Sequence, residues 1–183
     1  MAPSGSSAAP ALDESLRDGR LAGDWTLDPS RSEVRLRSKS MWGLAPVKGV
    51  FGQVSGSGTI SPAGDVNGTI TVAAGSVDTK NKKRDEHLRS ADFFDSGNHA
   101  HITFRVDRIS PSSRGVTVVG ALTVRDRTRP LSFDATLSTP GTDEVRLDAE
   151  VQVDRSDYGL TWSPMRMASM RNTITLHLVF TRS

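Results

Sequence analysis

Alternation of apolar and polar residues dominates the chain from residue 24 to its end. In the run EVRLDAEVQVD, Val145, Leu147 and Val151 alternate with charged or amide side chains, so that one face is apolar and the other polar. A period of two is typical of a strand that buries one face. Related runs are EVRLRSKS (33–40), KGVFGQVSGSGTI (48–60), TITVAA (69–74), HITFRV (101–106), VTVVGALTV (116–124), LSFDATL (131–137) and TITLHLVF (173–180). Together these runs predict about eight strands joined by turn-rich pieces.

Eight antiparallel strands with one apolar face each need a common core. A two-sheet sandwich and a closed up-and-down barrel both provide one, and we favour the barrel because closure removes both sheet edges. The predicted fold class is therefore all-β, an eight-stranded antiparallel up-and-down barrel. Two additions are predicted: a short helix-loop insertion at about residues 80–95 and a short N-terminal helix. An eight-stranded interior has room for one small ligand.

The chain is predicted to consist of a tail and one domain. Residues 1–23 begin with a stretch rich in Ala, Ser and Pro, and Leu12 and Leu16 then stand one helical turn apart. We expect a disordered tail plus a short helix there. Residues 24–183 are predicted to form the barrel domain.

Composition narrows the classes of function. The 183 residues contain no cysteine, which excludes disulfides and thiolate chemistry, and 23 basic against 21 acidic side chains give a net charge of only +2. This near balance argues against nucleic-acid binding. No apolar run approaches the roughly 20 residues of a membrane helix, so no integral membrane segment is predicted. The first residues lack the pattern of a secretory leader, and we therefore expect a cytoplasmic protein.

The run KRDEHLRSADFFD (83–95) concentrates the candidate chemistry. Its carboxylates and histidine match no metal-site spacing, and no G-x-S-x-G sequence occurs, so neither a metal nor a catalytic residue is predicted. The cations Lys83, Arg84 and Arg89 form either a solvated helix face or a rim that holds an anionic head group beside two phenylalanines. Asp85 and His87 are predicted to be structural, fixing the loop to the barrel.

Six segments together resemble the YceI-like family of polyisoprenoid-binding, lipocalin-like barrels. They are WTLDPSRSEVRL (25–36), VKGVFGQVSGSGTI (47–60), SVDTKNKKRDEHLRSADFFD (76–95), ITFRVD (102–107), VVGALTVRDRTRPLSF (118–133) and VDRSDYGL (153–160). The resemblance implies an apolar cavity for an isoprenoid or other amphipathic lipid, with no catalysis common to the family and no cofactor. It also implies structural roles for Arg155 and Asp157. The chain departs from the family at His99-Ala100, where Tyr-Pro is usual, and at Asp126, where Gly is common.

Large apolar residues recur in the segments that interrupt the alternation. The side chains predicted to contact a ligand are Trp42, Leu44, Phe93, Phe94, Phe104, Phe133, Trp162, Met165, Met167 and Met170. Methionine adapts to differing ligand chains, and loops seldom carry such bulk unless it faces a cavity. Ordinary packing at one end of the barrel is the alternative. We predict that Trp42 and Trp162 lie near one another at one mouth of the barrel.

The predicted function is binding, storage or transport of an amphipathic lipid, an isoprenoid or isoprenoid quinone, by a monomer or homodimer. Two alternatives stay open. One is a small barrel enzyme, a cyclase or isomerase, acting on an apolar substrate. The other is a stress-related barrel that is filled by its own side chains and binds another protein.

Overall fold

The computed structural model describes residues 14–183, apart from the side chain of Trp42. The predicted tail and Leu12 lie outside these residues. The strands are β1 (Gly23–Leu27), β2 (Glu33–Ser40), β3 (Ala45–Phe51), β4 (Val54–Ile60), β5 (Val66–Ala73), β6 (Val77–Asp78), β7 (His101–Ser112), β8 (Gly115–Val124), β9 (Arg127–Ser138), β10 (Glu144–Asp154) and β11 (Arg171–Arg182). Helix α1 spans Lys82–Arg89.

These segments form a closed, eight-stranded antiparallel barrel, as the alternation predicts. We call each of the eight barrel strands a stave. Three staves are bent and divided into two segments: β1 continues into β2, β3 into β4, and β5 into β6. The first stave pairs with the second through β1–β4 and β2–β3. Closure occurs on β11, whose beginning pairs with β2 and whose end pairs with β1. Every stave follows its neighbour in sequence, which is an up-and-down order.

The end of the barrel near β1 is closed by the N-terminal segment. Residues 14–17 are helical, and Leu16 and Leu21 are buried in the common core. The indole Nε1 of Trp25 donates a hydrogen bond of 2.9 Å to the carbonyl of Leu21. The Arg182 guanidinium covers the Trp25 ring at 4.6 Å. The indole is both packed and hydrogen-bonded, so it closes this end of the barrel. We call this end the Trp25 floor.

Helix α1 covers a gap in the barrel wall. Strand β5 pairs with β7, but its continuation β6 pairs with β3 alone among the described strands. The segment from 79 to 100 lies beside that free edge. Arg89 donates hydrogen bonds to the carbonyls of Gly75 (2.8 Å) and Val77 (3.2 Å). Its guanidinium thus satisfies acceptors that a neighbouring strand would otherwise satisfy.

Two pairs of phenylalanines connect this insertion and the strands to the core. Phe94 is buried and packs edge-on against Phe51 of β3, with ring centroids 5.9 Å apart. Phe104 of β7 packs against Phe133 of β9 at 5.5 Å. Phe104 and Phe133 lie on the apolar faces that the period of two assigns to the interior, whereas Phe94 comes from the loop after α1. None of the helices formed by residues 14–183 is long and apolar enough to span a bilayer.

Candidate ligand-binding cavity

The barrel interior holds a cavity of about 330 Å³. This volume is at the lower end of the roughly 300–1,000 Å³ found for small-molecule sites. Its walls are apolar side chains on the inward faces of the strands, among them Leu36, Val72, Ile102, Leu122, Leu131 and Leu176. A cavity with such walls favours an apolar guest, since the guest removes apolar surface from water.

An aromatic cluster lies at one end of this cavity. The rings of His87 on α1 and Trp162 meet edge-to-face at 4.2 Å between centroids. Phe93 contacts both, at 5.3 Å from His87 and 5.6 Å from Trp162. The Asp92 carboxylate lies at hydrogen-bond distance, 2.9 Å, from Nε2 of His87. Because Trp162 comes from the segment after β10, the cluster joins the two interruptions of the strand pattern. We call this end the mouth.

Helix α1 is held in place by hydrogen bonds at its start. The Asn81 side chain caps the helix by accepting from the Arg84 backbone N–H at 3.1 Å. Buried Asp85 accepts from the Thr79 backbone N–H (2.9 Å) and from the Thr79 hydroxyl (2.6 Å). Arg84, His87 and Leu88 all line the cavity. Their i, i+3, i+4 spacing places them on one face of the helix.

The second interruption is the loop of residues 155–170. It begins with a 3-10 turn capped by Asp154, which accepts hydrogen bonds from the backbone N–H and hydroxyl of Ser156. These bonds lower the pKa of the Asp154 carboxyl. Gly159 ends the turn at a φ of 76°, a left-handed conformation that glycine adopts without steric cost. Arg155 donates to the carbonyls of Leu160 (2.6 Å) and Ser169 (2.9 Å), which pins the two ends of the loop together.

The structure brings together half of the residues predicted to contact a ligand. Phe93, Phe94, Phe104, Phe133 and Trp162 all line the cavity. Leu44 and Met165 are 83% and 80% exposed and do not line it. Met167 and Met170 are half-buried in the 155–170 loop, also outside the lining. The side chain of Trp42 is outside the described part of the structure, so its proximity to Trp162 stays a prediction.

The predicted polar residues take different positions. Arg84 lines the cavity, whereas Lys83 is exposed and does not line it. Arg89 donates a hydrogen bond to the carbonyl of Gly75 at the edge of the barrel wall. Asp85 is hydrogen-bonded to Thr79, and His87 lies beside Asp92 and lines the cavity, so their structural role stays a prediction. The last two, Arg155 and Asp157, share one turn, where Arg155 is buried and Asp157 is exposed.

Several lining residues carried no signal in the sequence. Tyr158, Leu160, Ser169 and Asn172 reach the cavity from the 155–170 loop and the start of β11. Burial raises the pKa of the Tyr158 hydroxyl. The loop has neither helical nor strand periodicity, so its inward-facing positions could not be read from spacing.

A second, smaller cavity of about 90 Å³ lies between the main cavity and the Trp25 floor. Ile70 and Phe133 line both cavities. These two side chains therefore form the wall between an outer cavity, which includes the mouth, and an inner cavity, which includes Trp25. We use these two names below.

The charged residues that line the outer cavity are all basic. Lys39, Arg84 and Arg155 reach it, together with His87, and no carboxylate from residues 14–183 does. In the same residues, no group of three or more His, Cys, Asp or Glu side chains is arranged to hold a metal ion. The site therefore combines an apolar interior with a positively charged mouth.

Two curated bacterial proteins are similar to this chain in sequence. A UPF0312 protein of Staphylococcus aureus (strain MSSA476) is 29% identical over 148 residues, covering 76% of this chain and 84% of the relative. A UPF0312 protein of Yersinia enterocolitica is 31% identical over 137 residues, with 70% of each chain covered.

Solved structures with the same fold include Burkholderia cenocepacia BcnA. It has a TM-score of 0.75 and 23% identity, and the match covers 84% of this chain and 98% of BcnA. A polyisoprenoid binding domain from Saccharophagus degradans has a TM-score of 0.72 and 15% identity, covering 87% and 98% of the two chains. The sequence profile of the YceI-like domain matches residues 25–181. Since that match spans nearly the whole barrel, the chain belongs to the YceI-like family.

Proposed function

We propose that the protein binds an amphipathic lipid in the outer cavity, an isoprenoid, an isoprenoid quinone or another long-chain lipid, and stores or transports it. The observation that carries this proposal is the apolar cavity of about 330 Å³, whose charged lining residues Lys39, Arg84 and Arg155 are all basic. The apolar walls suit a tail, and the charged mouth suits a polar head. The Saccharophagus neighbour, a polyisoprenoid binding domain by description, supports the same class of ligand.

Ligand chain length should dominate affinity. Each methylene group buried against the walls contributes about 0.8 kcal/mol, or roughly fourfold in affinity. An exposed ion pair contributes only about 0–1 kcal/mol. The tail therefore supplies most of the binding free energy, and the head sets orientation.

We further propose that the site binds without catalysis, in a monomer or homodimer, with no nucleic acid as partner. The YceI-like family is a family of binding proteins, which supports this choice over a cyclase or isomerase. The open volume in the barrel also favours a ligand carrier over a barrel that is filled by its own side chains and binds another protein. Cytoplasmic location stays a prediction.

The experiment is lipid identification on protein purified from its own host. Native mass spectrometry should show a bound mass, and solvent extraction should release a long-chain lipid. In parallel, a fluorescent isoprenoid quinone analogue should bind saturably to the delipidated protein. Failure of both tests, with the protein folded by circular dichroism, would overturn the proposal.

A further inference from the structure

One buried cation at the mouth forms no ion pair with any carboxylate in the described part of the chain. Arg155 is 7% exposed and lines the outer cavity. Of the acidic side chains in residues 14–183, none lies within ion-pair distance of its guanidinium. Burial lowers the pKa of Arg155, and the charge of neighbouring Asp154 offsets only part of this effect. A buried charge normally requires a partner, because desolvation is costly.

The hydrogen bonds of Arg155 satisfy only part of the guanidinium. Its three nitrogens donate to the carbonyls of Ser169 (2.9 Å), Leu160 (2.6 Å) and Ala168 (3.4 Å). A guanidinium carries five N–H donors, so two remain beyond these three bonds. Its carbon lies 5.3 Å from the centroid of the Phe93 ring, which places the group beside the aromatic cluster of the mouth.

Arg84 adds a second cation to the same end. Its Nε and Nη2 donate to the hydroxyl and carbonyl of Thr79, at 2.8 and 3.0 Å, and it too makes no ion pair with the described residues. It precedes His87 by three positions on α1, and His87 contacts the same Phe93 ring that Arg155 covers. Arg84 and Arg155 thus line the outer cavity from the two interruptions of the strand pattern.

We propose that Arg155, assisted by Arg84, is a binding subsite for an anionic head group, a carboxylate or phosphate, at the mouth of the outer cavity. This inference rests on the proposed lipid-binding function and specifies the ligand class. An anion there would receive charge-assisted hydrogen bonds from the free N–H groups and supply the missing counter-charge. A neutral head of equal size would supply the acceptor but not the charge.

The test compares two amphiphiles with the same tail, dodecanoate and dodecanol, below their aggregation concentrations and at mildly alkaline pH. The delipidated full chain should bind dodecanoate at least about tenfold more tightly, a difference of about 1.4 kcal/mol. Added salt should reduce that preference. Arg155→Gln should lower the ratio of dodecanoate affinity to dodecanol affinity to about threefold or less, beyond any loss that the two amphiphiles share, and Arg84→Gln should reduce that ratio partly.

The matched control is Lys82→Gln, which neutralises an exposed cation of the same helix that does not line the cavity. It should keep the preference. If Arg155→Gln does not fold, Arg155→Lys keeps the charge but loses the planar fork, and a reduced preference in it supports the subsite.

Three results would overturn the inference. Equal affinity for both amphiphiles in the unmodified chain would reject an anionic subsite while leaving lipid binding intact. An equal loss of both affinities in a folded Arg155→Gln protein would show that Arg155 only pins the loop. Binding of neither amphiphile, together with no co-purified lipid, would reject the proposed function itself.

Discussion

At the scale of single residues, Asp85 is the clearest case of a polar group that holds the site rather than forming it. It is buried and accepts two hydrogen bonds from Thr79, which links α1 to the end of β6. Arg84, whose side chain lines the cavity, bonds to the same threonine. Asp85 therefore holds Thr79 in the position from which its hydroxyl and carbonyl accept hydrogen bonds from Arg84.

We predict that Asp85→Ala lowers the free energy of unfolding by about 2–3 kcal/mol. The substitution removes a charged acceptor and leaves the buried Thr79 N–H without a partner. Urea denaturation measures the change. The exposed neighbour Glu86 provides the control, since Glu86→Ala should change stability by no more than about 0.5 kcal/mol. Similar small effects for both variants would contradict the structural role of Asp85.

Trp162 is the residue for which binding and folding should separate most clearly. It is 40% exposed, so truncation removes little core, yet its ring forms part of the mouth with His87 and Phe93. We predict that Trp162→Ala weakens binding of a fluorescent isoprenoid analogue about tenfold, or 1.4 kcal/mol, and lowers stability by about 1 kcal/mol or less.

The matched variant Trp162→Phe keeps an aromatic ring at the mouth and should retain most of the affinity. Fluorescence titration and urea denaturation of the same preparations give the two quantities. Unchanged affinity in Trp162→Ala would remove this residue from the binding site.

At the scale of elements, the period of two was sufficient to locate the barrel wall. The run EVRLDAEVQVD coincides with β10, and EVRLRSKS coincides with β2. The pattern failed where packing does not require alternation. Strand β1 was not among the predicted eight, because its five residues reach the sheet as half of a bent stave. Strand β9 begins at Arg127, four residues before the predicted run LSFDATL, since the hairpin after β8 needs only two residues.

Gly120 shows how one position in a strand makes room for the interior. It is buried in β8, and an added Cβ would lie 2.7 Å from Cζ of Phe104 and closer still to the Arg105 carbonyl oxygen. We predict that Gly120→Ala lowers the free energy of unfolding by about 1–3 kcal/mol, since an overpacked core must shift its side chains.

Gly141 is the control for this prediction. It lies in the connection between β9 and β10, and an added Cβ there would meet nothing within 4 Å. Gly141→Ala should therefore be nearly neutral in urea denaturation. A neutral Gly120→Ala would mean that the β7–β8 pair relaxes without cost.

At the scale of the whole molecule, the division of the lumen was beyond the reach of the sequence. Phe133 was selected as a ligand contact from its place on an apolar face, but its role as part of a wall depends on barrel register and on Phe104 beside it. The positions of the methionines relative to the cavity could not be predicted from the sequence either. Their composition indicated an adaptable wall, whereas the geometry of the 155–170 loop leaves Met165 on the surface.

The wall between the two cavities should set the length of tail that contributes to binding. In a series of straight-chain carboxylates, affinity should rise about fourfold per added carbon until the outer cavity is full, and then level off. Phe133→Ala would join the inner 90 Å³ to the outer cavity and move that plateau to longer chains. Because losing a packed Phe costs about 3–5 kcal/mol, Phe133→Leu is the second variant, with a smaller shift in the same direction.

Leu137→Ala is the control for this series, because Leu137 lines the inner cavity alone and leaves the wall in place. It should preserve the plateau of the unmodified chain. Competition against a fluorescent analogue measures each affinity, and urea denaturation confirms that each variant is folded. If affinity in the unmodified chain keeps rising with chain length, Phe133 moves aside for the ligand and the lumen acts as one tunnel. If the plateau exists but is the same in a folded Phe133→Leu protein, the limit on tail length lies elsewhere in the barrel.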